Sequence, residues 1–181
     1  MMRAFVALDL PEALVVPLSR LQAGLTVGRP VPAENLHLTL AFLDEVADVT
    51  VHDIAEALDA LRLAPVALAL SGLELLGGRR PAVLAVGAKG PGLENLHAKV
   101  MRVAREAGVA LPRERFRPHV TIARFPREMG PKDQRRLGEF LALNGAFVLP
   151  ETPALAVTLY RSHLTHEGAH YEPLATFPFT G

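Results

Sequence analysis

Residues 35–43 read Asn35-Leu36-His37-Leu38-Thr39-Leu40-Ala41-Phe42-Leu43, and residues 116–124 read Phe116-Arg117-Pro118-His119-Val120-Thr121-Ile122-Ala123-Arg124. Each sets a His-x-Thr pair into an apolar run. In a β-strand, residues two apart share a face. His37 and Thr39 therefore project together, while Leu38 and Leu40 turn to a core. His119 and Thr121 project together over Val120 and Ile122. The two pairs stand 82 residues apart.

Outward from these stretches the chain repeats itself. Residues 4–8 are a strand, and Asp9-Leu10-Pro11-Glu12 opens a helix, since Pro and an acid suit the first turn. Leu14, Leu18, Leu21 and Leu25 continue it at helical spacing. Gly28 to Pro32 reads as a loop, 36–43 as a strand, 50–63 as a helix and 66–76 as a strand. Gly77-Gly78-Arg79-Arg80-Pro81 then breaks the chain. The pattern restarts with a strand over 82–86, a helix from Pro91-Gly92 to Gly108, a basic loop from Pro112 to Pro118, a strand over 119–123 and a helix over 131–141. Residues 154–162 and 170–177 form a closing hairpin around Glu167-Gly168. The order β-α-β-α-β thus occurs twice, and internal repetition means two similar lobes. The expected fold is α+β: two pseudo-symmetric lobes with antiparallel sheets facing a central cleft and helices outside. Residues 1–181 form one bilobal domain, lobe one over about 1–78 and lobe two over about 79–181, with room for strand exchange between them.

Composition narrows the function. Of 181 residues, half are hydrophobic and 21% charged, which excludes a disordered chain. Nineteen basic residues balance nineteen acidic ones. A protein that coats long nucleic acid needs a basic surplus, so any nucleic-acid contact is local. Only Lys89, Lys99 and Lys132 are lysines; the other basic residues are arginines, which suit bidentate capture of phosphate. The absence of cysteine removes disulfides, thiolate metal sites and cysteine nucleophiles. No uncharged apolar run is long enough to span a membrane, and Ala4 to Leu8 reads as a buried strand, not a signal peptide. The expectation is a cytoplasmic monomer without membrane or obligate protein partner.

Two facing imidazoles suit phosphoryl chemistry. Histidine titrates near pH 6.5, so a neutral ring takes a proton from a nucleophile while a charged one gives a proton to a leaving oxygen. The threonine hydroxyls donate to non-bridging phosphate oxygens. A lone strand histidine is usually structural, but two equivalent pairs in a repeated architecture point to His37 and His119 as catalytic and Thr39 and Thr121 as phosphate-binding. His52 and His97 lie on helices and read as structural. His163-Leu164-Thr165 reads as a strand end beside the hairpin; with His166 and His170 it forms at most an opportunistic metal site. No metal and no cofactor are required. Arg113, Arg115 and Arg117 form a basic approach to the second motif and are candidates for steering RNA. Phe5 and Phe42 are expected in the core.

These residues resemble the two-histidine phosphoesterase superfamily, whose mark is one His-x-Thr/Ser motif per lobe, and more closely the RNA 2′,3′-cyclic phosphodiesterases, long named 2′-5′ RNA ligases. The resemblance runs from Arg3-Ala4-Phe5-Val6-Ala7-Leu8 through both motifs and Arg79-Arg80-Pro81 to Leu159-Tyr160-Arg161-Ser162-His163-Leu164. It implies metal-independent hydrolysis of RNA or nucleoside 2′,3′-cyclic phosphates to a 2′-phosphate, with RNA ends or small cyclic nucleotides as partners and a reverse, 2′-5′-joining activity. We assign His119 to activate water and His37 to protonate the departing 3′ oxygen, an order that the near-symmetric pairs do not decide. The resemblance also makes Arg124 a phosphate clamp. Strand parity puts Arg124, five residues after His119, on the wrong face, so a bulge or strand end must turn it back. The alternative is a nucleotide- or RNA-binding module of the same fold without turnover.

Overall fold

The computed structural model describes residues 1–166 and 168–180. Its strands are β1 Met2–Asp9, β2 Arg29–Pro30, β3 His37–Val46, β4 Ala67–Leu76, β5 Val83–Lys89, β6 His119–Arg124, β7 Val148–Pro153, β8 Ala156–Thr165 and β9 Gly168–Pro178; its helices are α1 Glu12–Ala23, α2 Asp48–Asp59, α3 Leu93–Glu106 and α4 Pro131–Asn144. The fold is α+β, with every strand pair antiparallel. The strands run β7-β4-β5-β6-β3-β1-β8-β9, and β2 pairs with β6.

Two halves meet at the β3–β6 seam, where Leu38 pairs with Val120. The halves are not sequential. β4 leaves the first half of the chain to pair with β5 and β7, while β8 and β9 return from the C-terminal end to extend β1. Dividing the sheet near residue 78 therefore does not follow its hydrogen bonding.

Leu38 and Val120 are both fully buried, in one core with Leu14 and Leu18 of α1, Ile54 and Leu58 of α2, Val100 of α3 and Phe140 of α4. The helices thus cover the face to which these two residues turn. Alternation sends His37, Thr39, His119 and Thr121 to the other face, where all four are half-buried. Among the described residues, no helix is long and apolar enough to cross a membrane.

Two strands depart from the sequence reading. β7 lies where the sequence predicts no strand, because Pro150 and Pro153 weaken the strand signal; it is an edge strand paired with β4, a position that tolerates proline. The Gly28–Pro32 loop contains β2, which pairs Arg29 with Arg124 and Pro30 with Ala123. The hairpin of β8 and β9 is present; Glu167 of its expected turn lies outside the described residues.

Candidate active site

The seam places the two motifs side by side. The antiparallel register set by Leu38 and Val120 runs His37 toward Thr121 and Thr39 toward His119. Each imidazole is anchored alike. His37 Nδ1–H donates to the Asn35 carbonyl at 2.7 Å, and His119 Nδ1–H donates to the Arg117 carbonyl at 2.6 Å. A carbonyl only accepts, so in each neutral ring the proton sits on Nδ1 and Nε2 carries the lone pair. His37 Nε2 accepts from the Thr39 hydroxyl at 3.1 Å.

Both motif strands slip at the same point. In the first half Ala7 pairs with Thr39 and Val6 with Ala41, leaving Leu40 out of the count. In the second, Ala85 pairs with Thr121 and Leu84 with Ala123, leaving out Ile122. An extra residue reverses parity beyond it. Arg124 is thereby returned to the face of His119, and it lines a cavity of about 340 Å³ with His37 and Thr39. Phe42 is turned out by the corresponding slip. It is 45% exposed, a correction to the expected core position, and the Arg3 guanidinium lies 4.9 Å from its ring centroid.

The environments of the two histidines differ. Phe5 is buried as expected, with its ring 4.9 Å from the His37 ring; Tyr171 meets His37 edge-on at 5.3 Å. Burial lowers the His37 pKa below its usual value, and the positive charges of Arg124 and His119 lower it further, against the Asn35 hydrogen bond and the Asp9 charge. Val83 is the counterpart of Phe5, since it pairs with Arg124 as Phe5 pairs with Phe42. Behind His37, Asp9 accepts hydrogen bonds from Thr158 at 2.6 Å and Tyr160 at 2.7 Å. Burial and the Asp9 carboxylate hold the Tyr160 hydroxyl well above its ordinary pKa.

The arginine loop divides. Arg117 pairs with Glu74 at 3.0 Å and lines a cavity of about 390 Å³ with Arg115 and Lys89. Arg113 is exposed and lines neither cavity. Three further histidines have local partners. His52 meets Glu56 at 3.3 Å, His97 stacks on Phe116 with centroids 3.8 Å apart, and His163 pairs with Glu172 at 2.7 Å. The His163 hydrogen bond holds the Glu172 carboxyl below its usual pKa. Among the described residues, no group of three or more His, Cys, Asp or Glu is placed to hold a metal ion. Sequence reasoning does not single out Arg3, Asp9 or Tyr171 as site residues; their places depend on strand pairings remote in the chain.

A family model described as "2'-5' RNA ligase superfamily" matches residues 10–136, a span that holds both motifs and Arg124. The chain belongs to the 2′-5′ RNA ligase superfamily. Within this superfamily it is 31% identical, over 98% of its length, to an RNA 2′,3′-cyclic phosphodiesterase of Geobacillus stearothermophilus, and it spans 57% of that relative. A crystal structure of a Thermus thermophilus protein matches at a TM-score of 0.81 and 26% identity, covering 98% of each chain. Escherichia coli LigT complexed with 3′-AMP matches at 0.77 and 26%, covering 99% of each.

Proposed function

We propose that this chain is an RNA 2′,3′-cyclic phosphodiesterase that opens ribose 2′,3′-cyclic phosphates by proton transfer between His37 and His119. The observation that carries the reading is the matched anchoring of the two imidazoles, each held through Nδ1 by the carbonyl two residues before it. That leaves two Nε2 atoms on one sheet face beside two hydroxyls, which is what in-line displacement at phosphorus requires.

In the proposed step His119 Nε2 takes a proton from water as the water oxygen bonds to phosphorus. The P–O3′ bond breaks, and His37 Nε2–H supplies the proton that leaves a 3′-hydroxyl and a 2′-phosphate. Burial favours the neutral form of the His37 ring in the open cleft. The anionic phosphate favours its charged form, so His37 gains its proton when substrate binds. Protonation of Nε2 frees the Thr39 hydroxyl from the ring, and it turns with Thr121 and Arg124 to the non-bridging oxygens. A 5′-hydroxyl in place of water yields a 2′-5′ bond with the same roles; water prevails unless a second RNA end is held in register. Arg115 supports an approach path for RNA.

The reading extends to a cytoplasmic monomer in which residues 1–181 work as one bilobal domain. One chain supplies both motifs, and a chain free of cysteine suits a reducing compartment. Relatives named RNA 2′,3′-cyclic phosphodiesterase support the substrate class.

The test is an RNA oligomer ending in a 2′,3′-cyclic phosphate, incubated with the protein in EDTA beside His37→Ala and His119→Ala. The expected product resists periodate until a phosphatase removes its 2′-phosphate, and neither variant forms it. Binding of the oligomer without conversion between pH 5 and 9 would instead make the chain a binding module.

A further inference from the structure

A second cavity, of about 700 Å³, adjoins the site and shares Arg124, Gly168, Ala169 and Tyr171 with the cavity over His37. Its remaining wall is the Gly28–Pro32 segment facing Phe125. That wall is built from fixed parts. The buried Gln22 side chain donates to the Val31 carbonyl at 2.8 Å and the Ile122 carbonyl at 2.7 Å, tying the segment to β6. Gly28 has φ +75°, and a Cβ there would lie 2.6 Å from the Phe125 ring and 2.8 Å from the Arg124 carbonyl. The chain thus passes Phe125 where no side chain fits. Across the cavity, the Asn35 amide donates to the Ala169 carbonyl at 2.8 Å, which holds the start of β9 in place.

The lining chemistry is specific. Pro30, Val31, Phe125 and Tyr171 give apolar and aromatic surface, interrupted by the guanidinium groups of Arg29 and Arg124. Arg29 Nη1 reaches to 3.8 Å from where a Gly168 Cβ would stand, so it extends toward β9. Flat apolar faces take a base, and arginine takes a phosphodiester. The volume falls within the roughly 300–1,000 Å³ usual for small-ligand sites. With zero net charge on the chain, contact with RNA is confined to such local cations.

We propose that this cavity is a subsite for the nucleotide on the 5′ side of the one bearing the cyclic phosphate, so that the chain prefers oligoribonucleotide ends to cyclic mononucleotides. The assignment rests on the reading of His37 and His119 as cyclic-phosphate machinery. Arg124, common to both cavities, marks the junction. Arg29 meets the internal phosphodiester, and the base lies against Phe125 and Pro30.

Calorimetric titration tests this with two product-like ligands, a nucleoside 2′-phosphate and a dinucleotide ending in a 2′-phosphate. The wild type is expected to bind the dinucleotide at least about tenfold more tightly, as one stacked base allows. Arg29→Ser and Phe125→Leu should each bring the dinucleotide to within about threefold of the mononucleotide and leave mononucleotide affinity unchanged. Arg29 is exposed, so its variant stands should Phe125→Leu fail to fold. Equal wild-type affinity for the two ligands, or an advantage that survives both substitutions, overturns the subsite. Turnover of the corresponding cyclic phosphates separates the two readings. Mononucleotide turnover without a dinucleotide advantage in binding sinks the subsite alone. A variant-sensitive binding advantage without any turnover sinks the catalytic reading alone.

Discussion

Phe42 and Arg124 occupy the same point in the two motifs. Each follows its histidine by five residues, and each lies just beyond a slipped residue, Leu40 in β3 and Ile122 in β6. The burial sequence over 37–42 repeats over 119–124: half-buried, buried, half-buried, buried, buried, exposed. The second half presents a cation there directly. The first half presents an aromatic ring, with the Arg3 guanidinium stacked over it.

This equivalence predicts unequal costs of substitution. Arg124→Ala should lower kcat/KM by roughly 10²–10³-fold, the usual effect of removing one donor to developing charge. Arg124→Lys should recover only part of it, because an ammonium lacks the planar fork. Phe42→Ala should act through Arg3 and cost roughly tenfold or less, as an exposed cation–π contact contributes about 0.5–1 kcal/mol. Steady-state kinetics on a cyclic-phosphate substrate check the order; a Phe42→Ala loss as large as that of Arg124→Ala would make the aromatic ring the primary contact.

The lowered pKa of His37 fixes a pH signature. In its proposed role of proton donor, His37 must be charged, and kcat/KM reports the free enzyme. The alkaline limb of kcat/KM should therefore fall as pH rises through a value below the usual 6.5, while the limb of kcat, with the phosphate anion bound, lies higher. Phe5→Leu admits water beside the ring, relieves the burial cost, and should move the kcat/KM limb up. Asp9→Asn keeps an acceptor oxygen for only one of the Thr158 and Tyr160 hydroxyls, which donate to different carboxylate oxygens, and it removes a charge that favours protonated His37, so it should move the limb down. Movement of the acidic limb instead would make His37 the base.

How much of this is legible in the sequence depends on range. The sharing of a face by His37 with Thr39, and by His119 with Thr121, follows from two-residue spacing alone and needs no partner strand. Parity over five residues fails, because it assumes an unbroken ladder. The slips at Leu40 and Ile122 reverse it, sending Phe42 out of the core and Arg124 into the site. Its prolines hide β7. The exchange of β4 against β8 and β9 is a matter of non-local pairing, which periodicity does not encode.

Gln22 illustrates a residue whose role appears only in three dimensions. It lies on α1, 8% exposed, and its amide donates to two carbonyls far apart in the chain, Val31 just after β2 and Ile122 in β6. Gln22→Leu takes this donor from the part-buried Val31 carbonyl, while the Ile122 carbonyl keeps the Val31 N–H at 2.9 Å. Loss of a buried partner costs about 1–3 kcal/mol, so the midpoint of thermal unfolding should fall. The Gly28–Pro32 wall should loosen with it, which protease cleavage within 28–32 would detect. An unchanged midpoint and unchanged cleavage would mean that water replaces the amide at no cost.

The seam itself is the most demanding position. Leu38 and Val120 share its backbone pairing and are both fully buried, and His37, Thr39, His119 and Thr121 are their immediate chain neighbours. Leu38→Ala should cost about 2–5 kcal/mol, because the deleted methyl groups leave a cavity that the sheet closes only in part. That partial closure shifts one motif against the other. Since misplacement by about 1 Å costs on the order of 10²-fold, kcat should fall by more than the loss of folded protein explains, with KM changing less. Leu38→Ile conserves volume and should cost less than about 1.5 kcal/mol, with kcat nearly retained. Measured together, unfolding midpoints and kcat separate the two effects. Wild-type kcat in folded Leu38→Ala would show that the histidines tolerate movement at the seam, and would remove the basis for treating their register as catalytic geometry.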